Sequence, residues 1–210
     1  MRLASVSALL VLSALSLPPA PALAAPPGVR LNEILAGPAR DWDGNGAFSS
    51  RDDEWIELRN PGPSAVDLTG FFVTDGDSLP RFAPTGTLGA GELRVVFGGE
   101  SYAWERAHGF PAFGLSLANS GDSVMLWWVE GGDTVLVDAY TYTSHEAAAD
   151  RAVGRANDDG PWTLFDALDP YTGTLPPVGS GCAPSPAAAN ACGTTRARLT
   201  TWGRLKALYR

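Results

Sequence analysis

Short apolar runs, each soon closed by Gly, Pro, Asn or Asp, recur along the chain. No segment keeps apolar residues at every third and fourth position for a dozen residues. That pattern excludes a helical bundle and calls for many short strands joined by tight turns. Val29 to Leu35 is the first such run. Glu54 to Asn60 alternates, with Ile56 and Leu58 facing one way and Glu57 and Arg59 the other. Asn60-Pro61-Gly62-Pro63 then makes a turn that no helix or central strand can cross, because proline has no N–H to donate. Val66 to Thr74 is expected to place Val66, Leu68 and Phe72 on one face, and Glu92 to Phe97 to turn Leu93, Val95 and Phe97 inward. Ser123 to Val129 and Thr134 to Tyr142 read as a hairpin across Glu130-Gly131-Gly132-Asp133. Trp162 to Phe165 is the last run, and only Tyr102 to Ala107 offers a helical turn or two. The expectation is an all-β fold, an antiparallel sandwich of roughly seven strands.

The two ends differ from this middle. Arg2, the uncharged apolar run Leu3 to Leu17 and the small-x-small triplet Ala22-Leu23-Ala24 read as an export signal over residues 1–24. The run is shorter than the ~18–20 apolar residues that span a bilayer. A secreted, extracellular or cell-surface location is expected, with the periplasm as an alternative. The sandwich is assigned to residues 25–175, a Pro/Gly-rich segment to 176–193 and a basic tail to 194–210. Cys182 and Cys192, ten apart, are expected to form a disulfide closing that segment; no His or other Cys lies near enough to complete a zinc site. All 23 acidic residues lie between Glu33 and Asp169, against only nine basic ones before Cys192 and outside the signal, a net of −14. Such a surface repels phosphate backbones, so no nucleic-acid partner is expected for the domain, whereas divalent cations suit it.

Three stretches, taken in order, resemble the lamin-tail domain, an immunoglobulin-like sandwich of nuclear lamins and of many secreted bacterial proteins. They are Val29-Arg-Leu-Asn-Glu-Ile34; Glu54-Trp-Ile-Glu-Leu-Arg-Asn-Pro61 with Val66-Asp-Leu-Thr-Gly-Phe71; and Leu117-Ala-Asn-Ser-Gly-Asp-Ser-Val-Met-Leu126 with Val137-Asp-Ala-Tyr140. Pro184 to Asn190 is similar to a loose form of the Pro-Gly-x-x-Asn ending of bacterial members. The resemblance covers roughly residues 29–165. It implies an immunoglobulin-like antiparallel β-sandwich, and it carries fold further than function.

One constellation carries chemistry. Counting Asp41 as position 1 puts Asp43 at 3, Asn45 at 5, Gly46 at 6 and Asp52 at 12, the spacing of a calcium loop with Asp in place of the last Glu. The Ala47 carbonyl would serve at position 7, and Asp53 stands beside Asp52 as a substitute. Calcium takes six to eight oxygens, and alternate Asp/Asn side chains around a Gly-permitted turn supply them. Strands rather than helices flank the loop, and Asp reaches in less readily than Glu, so weak binding is expected. A solvated turn is the alternative, since Asp, Asn and Gly are ordinary turn residues.

Other leads are weaker. Ser144-His145-Glu146 is not a triad, because nucleophile, base and orienting acid normally come from separate elements. No nucleophile elbow, zinc helix or phosphate loop occurs. Trp127 and Trp128 point to opposite faces of their strand, so one of them is a candidate ligand contact, for a sugar or a protein. In the tail, Trp202, Leu205 and Tyr209 would line one face of a helix among five positive charges, suiting a docking role at an anionic surface or in sorting machinery. The expected protein is a monomeric, calcium-assisted, non-catalytic module for adhesion or scaffolding, with an unknown protein or glycan partner. The alternatives are a calcium-dependent carbohydrate-binding module and an accessory domain of the type found with secreted nucleases.

Overall fold

The computed structural model describes residues 27–191; the expected signal, Cys192 and the basic tail lie outside the described residues. The chain forms β1 (Arg30–Leu35), β2 (Trp55–Arg59), β3 (Val66–Asp67), β4 (Phe71–Thr74), β5 (Pro80–Phe82), β6 (Thr87–Leu88), β7 (Leu93–Phe97), helix α1 (Gly98–His108), β8 (Gly121–Glu130), β9 (Asp133–Thr143), β10 (Ala152–Arg155) and β11 (Trp162–Phe165), with a short 3-10 turn over Ala156–Asp158. Two antiparallel sheets stack face to face. One runs β11-β10-β1-β2-β7 and the other β5-β4-β8-β9, with β3 and β6 pairing separately. Leu31, Ile34, Ile56, Leu58, Val96 and Val153 from the first sheet meet Phe71, Val73, Val124, Leu126 and Trp128 from the second in one buried core. This is the expected immunoglobulin-like sandwich.

The strands form where apolar alternation leaves one face for the core. The hairpin of β8 and β9 turns through Gly131 and Gly132, both at positive φ (62° and 93°), which the two-residue turn requires and glycine adopts without strain. β1 departs from strict alternation. Leu31 opposes Leu58 and Glu33 opposes Glu57, so Asn32 is the extra residue of a bulge. Leu31 and Ile34, three apart, therefore both enter the core, while Asn32 and Glu33 both turn outward.

Two expected faces are corrected. Val66 to Thr74 is not one strand: Gly70, at φ 86°, separates β3 from β4 and resets the alternation, so Phe71 and Val73 go inward and Phe72 outward. In β7 it is Val96 that enters the main core. Val95 and Phe97 face the other way, into a second cluster with Leu35, Trp55, Ala152, Phe165 and Trp42. The helix is also longer than expected, 11 residues ending at Gly109 in the left-handed region.

Candidate functional site

The connection from β1 to β2 carries the acidic loop. Asp41 curls it: its two carboxylate oxygens accept the N–H groups of Gly44 at 2.7 Å and Gly46 at 2.8 Å. Asp43 Oδ1 accepts the N–H of Asn45 at 2.9 Å, and Asn45 Oδ1 that of Ala47 at 2.8 Å. These short Asp/Asn-to-backbone bonds wind the chain and bring alternate side chains to its inner side. Asp53, fully buried, ties the loop's two ends together. Its carboxylate accepts the N–H groups of Trp42 at 2.6 Å, Asp43 at 3.0 Å and Ser49 at 2.7 Å.

Carboxylate oxygens of Asp41, Asp43 and Asp53 consequently lie within 4.8 Å of one another. Two oxygens each about 2.4 Å from one calcium ion sit at most about 4.8 Å apart, so the triplet has the reach to share a cation. A carboxylate oxygen that accepts one N–H keeps a lone pair for a metal. The Gly46 N–H, with that of Gly44, holds the Asp41 carboxyl below the usual carboxylate range, so it stays ionised. Asp52, at position 12 of the spacing, is outside the triplet; with Asp43 it borders Gly99 at the start of α1, and its carbonyl accepts the Gly99 N–H at 3.2 Å. Gly98 lies against the Arg51 carbonyl, where any side chain would overlap it. The helix start and the loop are thus seated on each other.

A second polar site was not expected. Segment 183–190 returns across the outward face of β1 and β2. Its Ser185 N–H and Oγ donate to the two oxygens of Glu33 at 3.1 and 3.0 Å, and the Ala187 N–H donates to Glu57 at 2.7 Å. Asn190 donates from its side chain to the carbonyls of Asn32 and Arg155 and from its backbone to Asp158. Asn32 bridges Glu57 and Asp158 at 2.8 and 3.0 Å. Glu33 and Glu57 are fully buried. Burial drives the Glu33 carboxyl well above the usual range and pushes Glu57 up to about 7. Alternation marks these two residues as outward-facing but gives no sign of what covers them. The one signal was the likeness of Pro184 to Asn190 to a family ending.

The remaining candidates separate cleanly. Trp128 is buried (8 % exposed) against Phe71. Trp127 is half-buried on the outward face, stacked on Phe72 at 6.3 Å and 14°, with its Nε1 donating to Thr74 at 3.1 Å. His145 exchanges a 2.7 Å hydrogen bond with Thr143 and rests on the Tyr171 ring, and His108 stacks on Trp104 at 4.4 Å; neither ring meets a serine nucleophile among these contacts. Cys182 is not free, and Cys192, its expected partner, lies outside the described residues. Among the described residues no helix is long and apolar enough to cross a membrane.

A search of curated proteins returned no match. The sequence profile described as Lamin Tail Domain matches residues 22–144, a span running from before β1 through β9 and taking in the acidic loop. With that match over more than half of the chain and the sandwich it accompanies, the chain belongs to the lamin tail domain family, a family of non-enzymatic immunoglobulin-like modules.

Proposed function

We propose that the protein is an extracellular, non-catalytic binding module whose β1–β2 loop takes calcium, and that it serves adhesion or scaffolding. The observation that carries the calcium reading is the convergence of the Asp41, Asp43 and Asp53 carboxylates. The coiled loop supports it, because ionised oxygens gathered with no guanidinium paired to them among the described residues repel one another until a cation joins them. The ligands are hard oxygens, the donor type that calcium selects. Affinity in the ~10⁻⁵ to 10⁻³ M range of extracellular modules is expected. The apparent export signal and the Cys182–Cys192 pair, which would close the 183–191 segment into a ring, agree with an oxidising, calcium-rich location.

Calorimetric titration of the purified chain with calcium tests this reading. One ion per chain is expected, with the heat lost in Asp41→Ala and in Asp43→Ala. No heat at millimolar calcium would reduce the loop to a solvated turn.

One observation favours a second reading, a carbohydrate-binding surface. Trp127 and Phe72 form a nearly parallel aromatic pair on the outward face of the four-stranded sheet, a surface on which a sugar ring can stack. Glycan-array binding that disappears in Trp127→Ala would select it.

A further inference from the structure

The carboxyl groups beneath segment 183–190 are gathered side by side and out of water. Glu33 and Glu57 sit directly opposite on β1 and β2, where cross-strand neighbours are about 5 Å apart. Asp158 joins them through Asn32. Among the described residues no basic side chain neutralises the pair. Arg30 and Arg59 turn to the Asp158 carbonyl and the Asp159 carboxylate. Arg94 pairs with Glu100, and Arg155 with Asp138 and the Leu31 carbonyl. Val95 of β7 lies opposite Glu57, and β10 presents Gly154 opposite Glu33. A Cβ there would come within 3.0 Å of Asn190, Phe165 and Glu33, so glycine is what lets the segment lie this close. The segment itself, Ala183 to Asn190, has no titratable side chain. What covers the acids is thus a short uncharged strap, held largely by hydrogen bonds to those same acids.

We propose that residues 183–190 form a proton-operated latch, closed over Glu33 and Glu57 while that pair holds a proton and lifted when both are ionised. Closing the strap takes two carboxyl groups out of water side by side, which disfavours two charges there. The strap's N–H groups oppose this by favouring the ionised form, but burial is the larger effect at both residues. Lifted, the strap exposes the groups to water and the penalty vanishes. Proton linkage then gives the direction: closure is complete below the ordinary glutamate value of 4.5 and weakens as pH rises through about 7. From Glu57 alone the closing equilibrium falls roughly a hundred-fold or more across that interval. The lifted state exposes Glu33 and Glu57 on the outward face of β1 and β2.

Hydrogen exchange on the full, non-reduced chain tests the latch. Protection factors of the Ser185, Ala187 and Asn190 amides are measured from pH 5 to 8.5 and compared with core amides of β8. The expected result is a fall of at least tenfold at the strap while β8 stays constant. Asp158→Asn, which removes a charge that raises both glutamates, makes the fall smaller and ends it at lower pH. Glu57→Gln, which cannot ionise, leaves only the part that Glu33 carries, and Glu33→Gln with Glu57→Gln flattens it. Strap protection that is constant with pH in the unmodified chain overturns the proposal, as does a fall shared equally by β8.

Discussion

Asp41 and Asp53 occupy the same loop but do different work. Asp41 is at the surface end of the coil and accepts from two glycine N–H groups that water would otherwise satisfy. Asp53 is buried and holds three N–H groups that water does not reach. Losing a buried, charge-assisted acceptor costs more than losing an exposed one. In calcium-free buffer, urea unfolding of Asp53→Ala is therefore expected to show a loss of about 2–4 kcal/mol, and Asp41→Ala a clearly smaller one. Both substitutions abolish calcium heat if the triplet is the site. Their separation in stability then distinguishes the residue that builds the loop from the one that mainly binds. The spacing that marked Asp41, Asp43 and Asn45 was visible in the sequence because Asp/Asn-to-backbone turns are local. The choice between Asp52 and Asp53 was not, because it depends on how the loop seats against α1 at Gly98.

At the scale of elements, β8 makes the strand period measurable. Trp128 faces the core and Trp127 the outside, one residue apart. Trp128→Ala is expected to cost about 3–5 kcal/mol, as large core truncations do. Trp127→Ala loses a stack and one hydrogen bond, about 1–2 kcal/mol. Equal losses in chemical denaturation would contradict the assignment of faces. Alternation located most strands, and it gave the hairpin because two glycines announced its turn. It fails in β7, whose two faces are both covered, because Arg94 marks as exterior the side on which Val96 enters the core. It failed across Gly70, where a positive φ shifts the pattern by a residue. Helix α1 is longer than its sequence suggests because it starts on two glycines and buries only Gly98, Ser101 and Glu105, leaving no apolar stripe to read. The strap is not legible for a related reason: Ser, Pro, Ala and Asn have no periodicity, and the two glutamates it covers lie more than 120 residues away in sequence.

For the molecule as a whole, charge is the dominant long-range property. From β1 to the strap 23 acidic residues face nine basic ones, so the folded domain repels itself. Adding monovalent salt from about 20 to 200 mM shortens the screening length to about 7 Å. The thermal midpoint is expected to rise over that range, while a domain of balanced charge would change little; a falling midpoint in scanning calorimetry would contradict this. The order of strands has a different consequence, one of timing. β1, the first strand made, lies inside its sheet between β2 and β10, and the strap that covers it is bonded to Glu33 from 152 positions further along. A chain emerging from its N-terminus first can pair β1 with β2 at once, but the other edge stays open until residue 152 arrives, and the outer face until residue 185. During synthesis or transport the half-finished sheet is therefore adhesive, and a product cut short before β10 displays a raw edge that invites association with other chains or capture by a chaperone.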